Sequence, residues 1–208
     1  MDILLKYFPE LTSVQQTQFE QFAKLFREWN AQINLVSRKD IENLFVHHIL
    51  HSLAIAKVIR FKENSNIMDL GTGGGFPGIP LSILMPEVQF TLIDGTGKKI
   101  MAVNDMLEKL ELDNVKALQA RAEEHKGSYD FVVTRAVAEL EKLMIWTRHL
   151  YNPKQINSMP NGLLALKGST YKEEIKAMSY KAYYEADAID RFFDEDYFKE
   201  KFVIYIQA

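Results

Sequence analysis

A glycine-rich segment that follows a short apolar stretch is the feature that most constrains the fold of this chain. Residues 67–70 are predicted to form a strand, and the segment 69–78 has the sequence DLGTGGGFPG. Glycines such as Gly71 and Gly73 allow a chain to turn sharply after a strand and to approach a ligand closely. A helix predicted over 79–85 would direct its first amides at that ligand. The pattern predicts a strand–turn–helix binding site, with a glycine-rich loop that binds nothing as the alternative.

The chain beyond residue 64 alternates between strand-like and helix-like stretches. Further strands are predicted over 88–93, 114–118, 131–133, 162–166 and 201–206, and helices over 98–110 and 140–149. Such alternation is typical of βαβ units and predicts an α/β fold with a mostly parallel sheet. Because no helix follows the last strand, we expect that strand to lie antiparallel at the edge of the sheet.

The N-terminal third is predicted to be helical. Apolar residues recur at helical spacing over 13–29 and over 40–59, and Ser13 with Gln16 can form a capping box at the start of the first helix. With 208 residues, the chain is long enough for one well-packed domain with an extension and short for two. We therefore expect a helical extension over residues 1–63, packed on a Rossmann-like domain over residues 64–208.

Composition and charge exclude several classes of protein. The chain has no cysteine, which excludes disulfides and metal sites built on thiolates. Its start, MDILLK, does not resemble a secretory signal, and no stretch approaches the roughly 20 apolar residues of a membrane span. We expect a soluble, cytoplasmic protein with no membrane partner. The formal net charge of -3 gives no global support for a nucleic-acid partner, so that support must come from the local placement of cations.

Two acidic residues bear on the ligand that the glycine-rich turn would bind. The segment 73–78 also fits the G-x-G-x-x-G pattern of dinucleotide sites, although a run of glycines satisfies that pattern in several frames. Asp69 could meet the cationic amino-acid end of S-adenosylmethionine but would repel a pyrophosphate. Asp94 ends the second strand, where a carboxylate can accept both ribose hydroxyls of either ligand. These residues favour S-adenosylmethionine over NAD as the cofactor, and capping of the next helix is the alternative role for Asp69.

Cations follow the ends of several predicted strands: Lys98, Lys99, Arg121, Arg135 and Lys167. Ligands of open α/β sheets bind outside the carboxyl ends of the strands, so that these cations would form a basic rim around the cofactor and contact phosphates. Pairing of the two arginines with Asp94, Glu123 or Glu124 is the alternative, and ordinary solvated surface is the alternative for the lysines.

Two further groups of polar residues have open interpretations. The turn over residues 119–124 would flank an adenine with Glu123, or it is a solvated charged turn. His47, His48 and His51 have the spacing of zinc ligands on one helix face, but no clear third ligand accompanies a pair of them. A satisfied helix histidine or a contact near the substrate is the favoured interpretation, and we expect no metal.

Six segments together indicate one protein family, whereas the glycine loop alone occurs in many methyltransferases. They are 29–37 (WNAQINLVS), 47–52 (HHILHS), 69–81, 121–124 (RAEE), 134–136 (TRA) and 165–168 (ALKG). In this combination the chain resembles the bacterial methyltransferases that modify N7 of a guanine in 16S ribosomal RNA, also called the glucose-inhibited division protein B family. The resemblance covers about residues 20–170. His51 stands where the family usually has Asp, Glu139 is acidic where a neutral or basic residue is expected, and residues 171–198 match poorly.

The resemblance implies the fold of class I S-adenosylmethionine-dependent methyltransferases, a Rossmann-like α/β fold with about seven strands. It implies cofactor contacts at Gly71, Phe76, Ala122, Glu123 and Arg135, in addition to Asp69, Gly73 and Asp94. RNA contacts are expected at Asn34, His48, Lys98, Lys99, Arg121 and Lys167.

The implied substrate is 16S ribosomal RNA, free or within a precursor of the small subunit, with methylation of a guanine in the decoding-region 530 loop by a monomeric enzyme. Guanine N7 is already nucleophilic, so that no general base is expected, and Arg135 and Lys167 would position N7. The alternatives are a methyltransferase for another RNA, a protein or a small molecule, a non-catalytic module that binds the cofactor, and a nucleotide oxidoreductase.

Overall fold

The computed structural model describes residues 1–135 and 137–208. The strands in this part of the chain are β1 (Asn66–Leu70), β2 (Gln89–Asp94), β3 (Val115–Gln119), β4 (Phe131–Arg135), β5 (Gly162–Gly168), β6 (Tyr184–Ala188) and β7 (Lys201–Gln207). They form one sheet of seven described strands in the order β3-β2-β1-β4-β5-β7-β6. Neighbours among β1 to β5 pair in parallel, and β7 runs antiparallel to β5 and to β6. The predicted α/β fold with a mostly parallel sheet is confirmed.

The C-terminal strand is antiparallel, as predicted, but it does not lie at the edge of the sheet. β7 pairs with β5 on one side and with β6 on the other, from Tyr184↔Ile206 to Ala188↔Phe202. The expected edge position is therefore wrong, because the sequence analysis missed β6. The sequence of β6 is YEADA, and its residues are exposed or half-buried, so that it lacks the apolar content that signals a strand.

The helices are α1 (Asp2–Tyr7), α2 (Ser13–Ile33), α3 (His51–Leu53), α4 (Ile55–Val58), α5 (Gly78–Leu84), α6 (Gly97–Lys109), α7 (Leu140–Thr147) and α8 (Tyr171–Ala177). α2 starts with a capping box made by Thr12 and Gln15, not by the predicted Ser13 and Gln16. The amide of Gln15 donates to the Thr12 hydroxyl at 3.3 Å, and the Thr12 amide donates to Oε1 of Gln15 at 3.0 Å. Thr12 is still extended, with ψ 160, whereas Ser13 is already helical, which places the cap one residue earlier.

The segment predicted as one helix over residues 40–59 is divided in the structure. It consists of a 3₁₀ turn (Ile41–Asn43), a π-helical stretch (Leu44–Leu50), α3 and α4. The carboxylate of Asp40 contacts both His47 and His48. Consecutive side chains of a regular α-helix point about 100° apart. In the wider turns of the π-helical stretch, His47 and His48 both reach the carboxylate of Asp40.

The sheet has an apolar core on each face. Side chains alternate between the faces along a strand, so that Ile67 belongs to one core and Met68 to the other. The N-terminal helices share the Ile67 core with α5 and α6, whereas α7 and α8 cover the opposite face. Residues 1–63 and the sheet thus have one hydrophobic core in common. Within the described residues, none of the helices combines the length and apolar character that crossing a bilayer requires.

Candidate active site

A cavity of about 640 Å³ opens at the carboxyl ends of β1 to β4. This cofactor cavity is bordered by the glycine loop after β1, the ends of β2 and β3, and Arg135 at the end of β4. Of the predicted cofactor contacts, it brings together Gly71, Gly73, Phe76, Asp94, Ala122, Glu123 and Arg135. Sequence reasoning did not anticipate Leu35 and Val36, which follow α2 and form part of its wall.

The backbone of the glycine loop faces this cavity. The amides of Gly71 and Thr72 donate to the Ile93 carbonyl at 2.8 and 3.0 Å, which ties the loop to the end of β2. Gly71 and Gly73 have φ values of 70 and 57, in the left-handed region that favours glycine. Among the described residues, a Cβ added at Gly73 would have only the Gly71 carbonyl oxygen within reach, at 4.0 Å, so that the loop leaves room for a ligand against its backbone.

Asp94 is held in the wall of the cavity by backbone amides. Its Oδ2 accepts from the Gly73 amide at 3.0 Å, and its Oδ1 accepts from the Thr96 amide at 2.8 Å. Lys99 Nζ lies 3.9 Å from Oδ2. A carboxylate has about four lone-pair sites, so that Asp94 keeps acceptor capacity for hydroxyl groups of a ligand.

Asp69 does not line the cavity. It is fully buried and accepts the amide of Gly78, the first residue of α5, at 2.8 Å. Of the two roles considered from the sequence, the geometry supports capping of α5 rather than direct contact with a cationic ligand. Burial raises the pKa of Asp69 to about 7, although the Gly78 amide acts in the opposite direction.

Arg135 is the central cation of the site. Its Nη2 donates to Nδ1 of His48 at 3.0 Å, its Nη1 donates to the His47 carbonyl at 3.3 Å, and its Cζ lies 4.8 Å from the centre of the Phe76 ring. Among the described residues, Arg135 and Arg121 form no ion pair with Asp94, Glu123 or Glu124, in contrast to the alternative considered from the sequence.

A chain of hydrogen bonds runs from Asp40 through His48 to Arg135. Since a guanidinium group only donates, Nδ1 of His48 accepts, and the proton of the neutral ring is on Nε2, which donates to Asp40 at 2.7 Å. Burial and the charge of Arg135 lower the pKa of His48 to about 4. Burial favours the neutral form of Asp40, but hydrogen bonds from His47 and His48 outweigh it and lower the pKa of Asp40. No sequence motif marked Asp40 as part of the site.

The predicted basic rim is only partly formed. Lys98 and Arg121 are exposed, and Lys99 and Arg121 line the cofactor cavity. Lys167 was expected to contact RNA and to position N7, but its Nζ donates to Glu174 at 2.7 Å and to the Ala138 carbonyl at 2.6 Å. Its side chain is 10% exposed, and its charge is balanced by Glu174 of α8.

The remaining predicted contacts lie at the edge of the site. Asn34 is exposed and caps the end of α2 with a φ of 50, next to Leu35 and Val36 of the cavity wall. His48 contacts Arg135 and Asp40 and is 6% exposed, so that it is not a surface group. Among the described residues, no group of three or more His, Asp or Glu side chains is arranged to hold a metal ion.

The sheet order and the cavity at its carboxyl edge define the class of this protein: the fold is that of class I S-adenosylmethionine-dependent methyltransferases. An S-adenosylmethionine-dependent methyltransferase from Aquifex aeolicus has a similar structure, with a TM-score of 0.58 and 15% sequence identity over 83% of this chain and 100% of that one. A chain of the fibrillarin/Nop5p complex is also similar, with a TM-score of 0.55 and 11% identity over 74% of this chain and 78% of that one.

Sequence comparison gives the family. The model of the GidB family, described as rRNA small subunit methyltransferase G, matches residues 15–193. The ribosomal RNA small subunit methyltransferase G of Bacteroides fragilis is 49% identical over 206 residues, covering 99% of both chains. That of Porphyromonas gingivalis is 48% identical over 206 residues, covering 99% of this chain and 92% of that one. The chain belongs to the rRNA small subunit methyltransferase G family.

The raised pKa of Asp69 predicts a specific effect of pH on stability. Between about pH 4, near the ordinary value of 3.8, and about pH 7, the folded state holds a proton on Asp69 that the unfolded state releases. The free energy of unfolding should therefore fall as pH rises through this window. In Asp69→Asn the side chain stays neutral and can still accept the Gly78 amide, so that this contribution disappears. Urea unfolding of both proteins across the window measures the difference.

The comparison cancels the contributions of all other titrating groups, because both proteins contain them. We expect Asp69→Asn to gain stability relative to the wild type with rising pH, and the gain to level off above the pKa of Asp69. Parallel stability curves for the two proteins would show that Asp69 titrates normally.

Proposed function

We propose that this protein transfers the methyl group of S-adenosylmethionine to N7 of a guanine in 16S ribosomal RNA, and that it does so as a cytoplasmic monomer. The observation that carries the proposal is the extent of the family match. It spans residues 15–193 and thus includes every residue that lines the cofactor cavity, from Leu35 to Trp146.

The cavity fits S-adenosylmethionine in its chemistry. The open backbone at Gly73 lets a ligand approach closely, Asp94 has acceptors left for ribose hydroxyls, and Ala122 with Glu123 borders the opposite side. Asp69 acts on this site indirectly, because it fixes the start of α5 and with it the end of the glycine loop. Bound there, S-adenosylmethionine supplies an electrophilic methyl group.

The groups around the cavity are suited to positioning rather than to proton transfer. The described lining contains no histidine, Asp94 is held by two amides, and Glu123 is exposed. His48 does not line the described part of the cofactor cavity, and its one acceptor nitrogen is bonded to Arg135. An acceptor with a ready lone pair, such as guanine N7, needs no general base, and catalysis then rests on orientation.

The test of the proposal identifies the product. Small ribosomal subunits, protein-free 16S RNA and tRNA from a strain that lacks this enzyme are incubated with the protein and labelled S-adenosylmethionine. We expect label in 16S RNA, as 7-methylguanosine by mass spectrometry of the nucleosides, and comparison of the first two substrates shows whether an assembled particle is required. Label in another nucleoside, in protein or only in tRNA would contradict the proposal.

Asp94→Asn should weaken binding of S-adenosylmethionine. The amide retains the shape of the side chain but replaces one acceptor oxygen with a donor. The lost hydrogen bond to a charged group is worth about 1.5–3 kcal/mol of binding free energy. We expect the Kd to rise by about tenfold to a hundredfold in a calorimetric titration. Asp113→Asn removes the same charge from an exposed position outside the cofactor cavity, and its Kd should equal that of the wild type.

Lys98 and Arg121 should contact RNA phosphates. Lys98→Ala and Arg121→Ala should each weaken binding of the substrate RNA and flatten its salt dependence by about one released counterion. Lys62→Ala is the matched control, since Lys62 is exposed and precedes β1 at the opposite edge of the sheet. Affinities measured at several salt concentrations give the slopes. If the slopes of all three variants equal that of the wild type, the exposed cations do not contribute to RNA binding.

The rate of methyl transfer should not depend on pH in the mildly basic range. Burial and the neighbouring cation keep His48 neutral there, with a pKa of about 4, and Asp69 has lost its proton above a pKa of about 7. Transfer to N7 adds no ionisation of its own, so that single-turnover rates at saturating cofactor should be flat between about pH 7.5 and 9. A rise through one ionisation in this range would instead indicate an amine or hydroxyl acceptor that must lose a proton.

A further inference from the structure

A second cavity, of about 350 Å³, adjoins the cofactor cavity and shares Arg135 with it. We call it the Tyr197 cavity. It lies at the carboxyl end of β5, where Leu166 borders it, between the π-helical stretch and the start of β7. His51, Tyr197 and Lys201 form much of its remaining wall. Ligands of open α/β sheets bind at this edge, and the methyl acceptor must lie beside the methyl donor.

We propose that the Tyr197 cavity receives the target guanine, with the plane of the base against the Tyr197 ring in place of the Lys201 ammonium group. This inference rests on the proposed function and adds to it the place of the acceptor base. Enzymes that act on a base commonly take it out of its stack into a pocket, where aromatic rings hold its faces and polar groups contact its edge. The Tyr197 cavity offers both kinds of group next to the cofactor cavity.

Both faces of the Tyr197 ring are contacted, one by the His47 ring and the other by the Lys201 ammonium group, which a base would displace. The His47 ring stacks on its face with 3.7 Å between the ring centres and 12° between the planes. Lys201 Nζ lies 4.1 Å from the centre of the Tyr197 ring and therefore covers the remaining face. An ammonium group on a flexible chain can move aside for a base and then contact its O6 or a phosphate.

Guanine matches this arrangement. Its O6 is an acceptor, which suits the cations that line the cavity. The charges around the cavity also fit an electron-rich base. Arg135 and Lys201 supply positive charge to it, Lys167 is paired with Glu174, and the described lining contains no carboxylate. Two acids that contact its lining residues are themselves bonded, Asp40 to the two histidines and Glu174 to Lys167.

The first test uses the Tyr197 ring. Tyr197→Leu removes the aromatic face and should lower kcat/KM for methyl transfer to RNA roughly tenfold, given the usual strength of base stacking. Its Kd for S-adenosylmethionine should remain within about twofold of wild type. Tyr197→Phe keeps the ring and should retain most of the activity. Tyr183→Leu, at a tyrosine that is 59% exposed outside both cavities, is the matched control and should act as wild type.

The second test locates the base directly. The target guanosine is replaced by 6-thioguanosine in the substrate RNA, and the complex of full-length protein, RNA and S-adenosylhomocysteine is irradiated. We expect a crosslink within residues 197–201 or 47–51, identified by mass spectrometry. A crosslink confined to other residues, or full activity of Tyr197→Leu on RNA that the wild type converts to 7-methylguanosine, would overturn the cavity assignment alone. Absence of 7-methylguanosine with the wild type would instead overturn the proposed function.

Discussion

The packing of Phe76 is the interaction on which the rest of the site depends. Phe76 belongs to the glycine loop, and its ring centre lies 5.5 Å from that of Phe22 and 5.0 Å from that of Phe26, both on α2. A Cβ at Gly74 would come within 2.5 Å of Phe26, so that the loop and the helix can meet only because Gly74 lacks a side chain. The same Phe76 ring contacts Arg135 on the sheet. The N-terminal helices therefore shape the cofactor cavity as well as covering the sheet.

The parts of the fold that could be predicted from sequence are those with strong local signals. β1, β2 and β5 are buried along most of their length and appear as apolar runs, and the glycine loop follows the first of them. Asp94 could be placed in the site because the carboxyl ends of parallel strands share one edge of the sheet. The residues alone favoured S-adenosylmethionine as the cofactor, and the family resemblance then supplied the substrate.

The predictions that failed, or that remained undecided, depended on where side chains point and on which distant segments meet. Lys167 follows a strand end as expected, but α8 folds back and brings Glu174 to its ammonium group. Alternation along β1 puts Asp69 on the same face as Ile67, toward α5, which was a usable signal for its capping role. Asp40 lies 95 residues before Arg135 in the sequence, and only the tertiary structure connects them through His48.

One guanidinium group borders two cavities, and this has a thermodynamic consequence. Arg135 is fixed on one side by Phe76 and on the other by His48, so that a ligand entering either cavity encounters a group whose position also defines its neighbour. If filling one cavity shifts this side chain, the affinity of the other cavity changes, and linkage requires that the change be equal in both directions. The binding of methyl donor and acceptor is then coupled through a single side chain, and a change at Arg135 or its supports alters the size of that coupling.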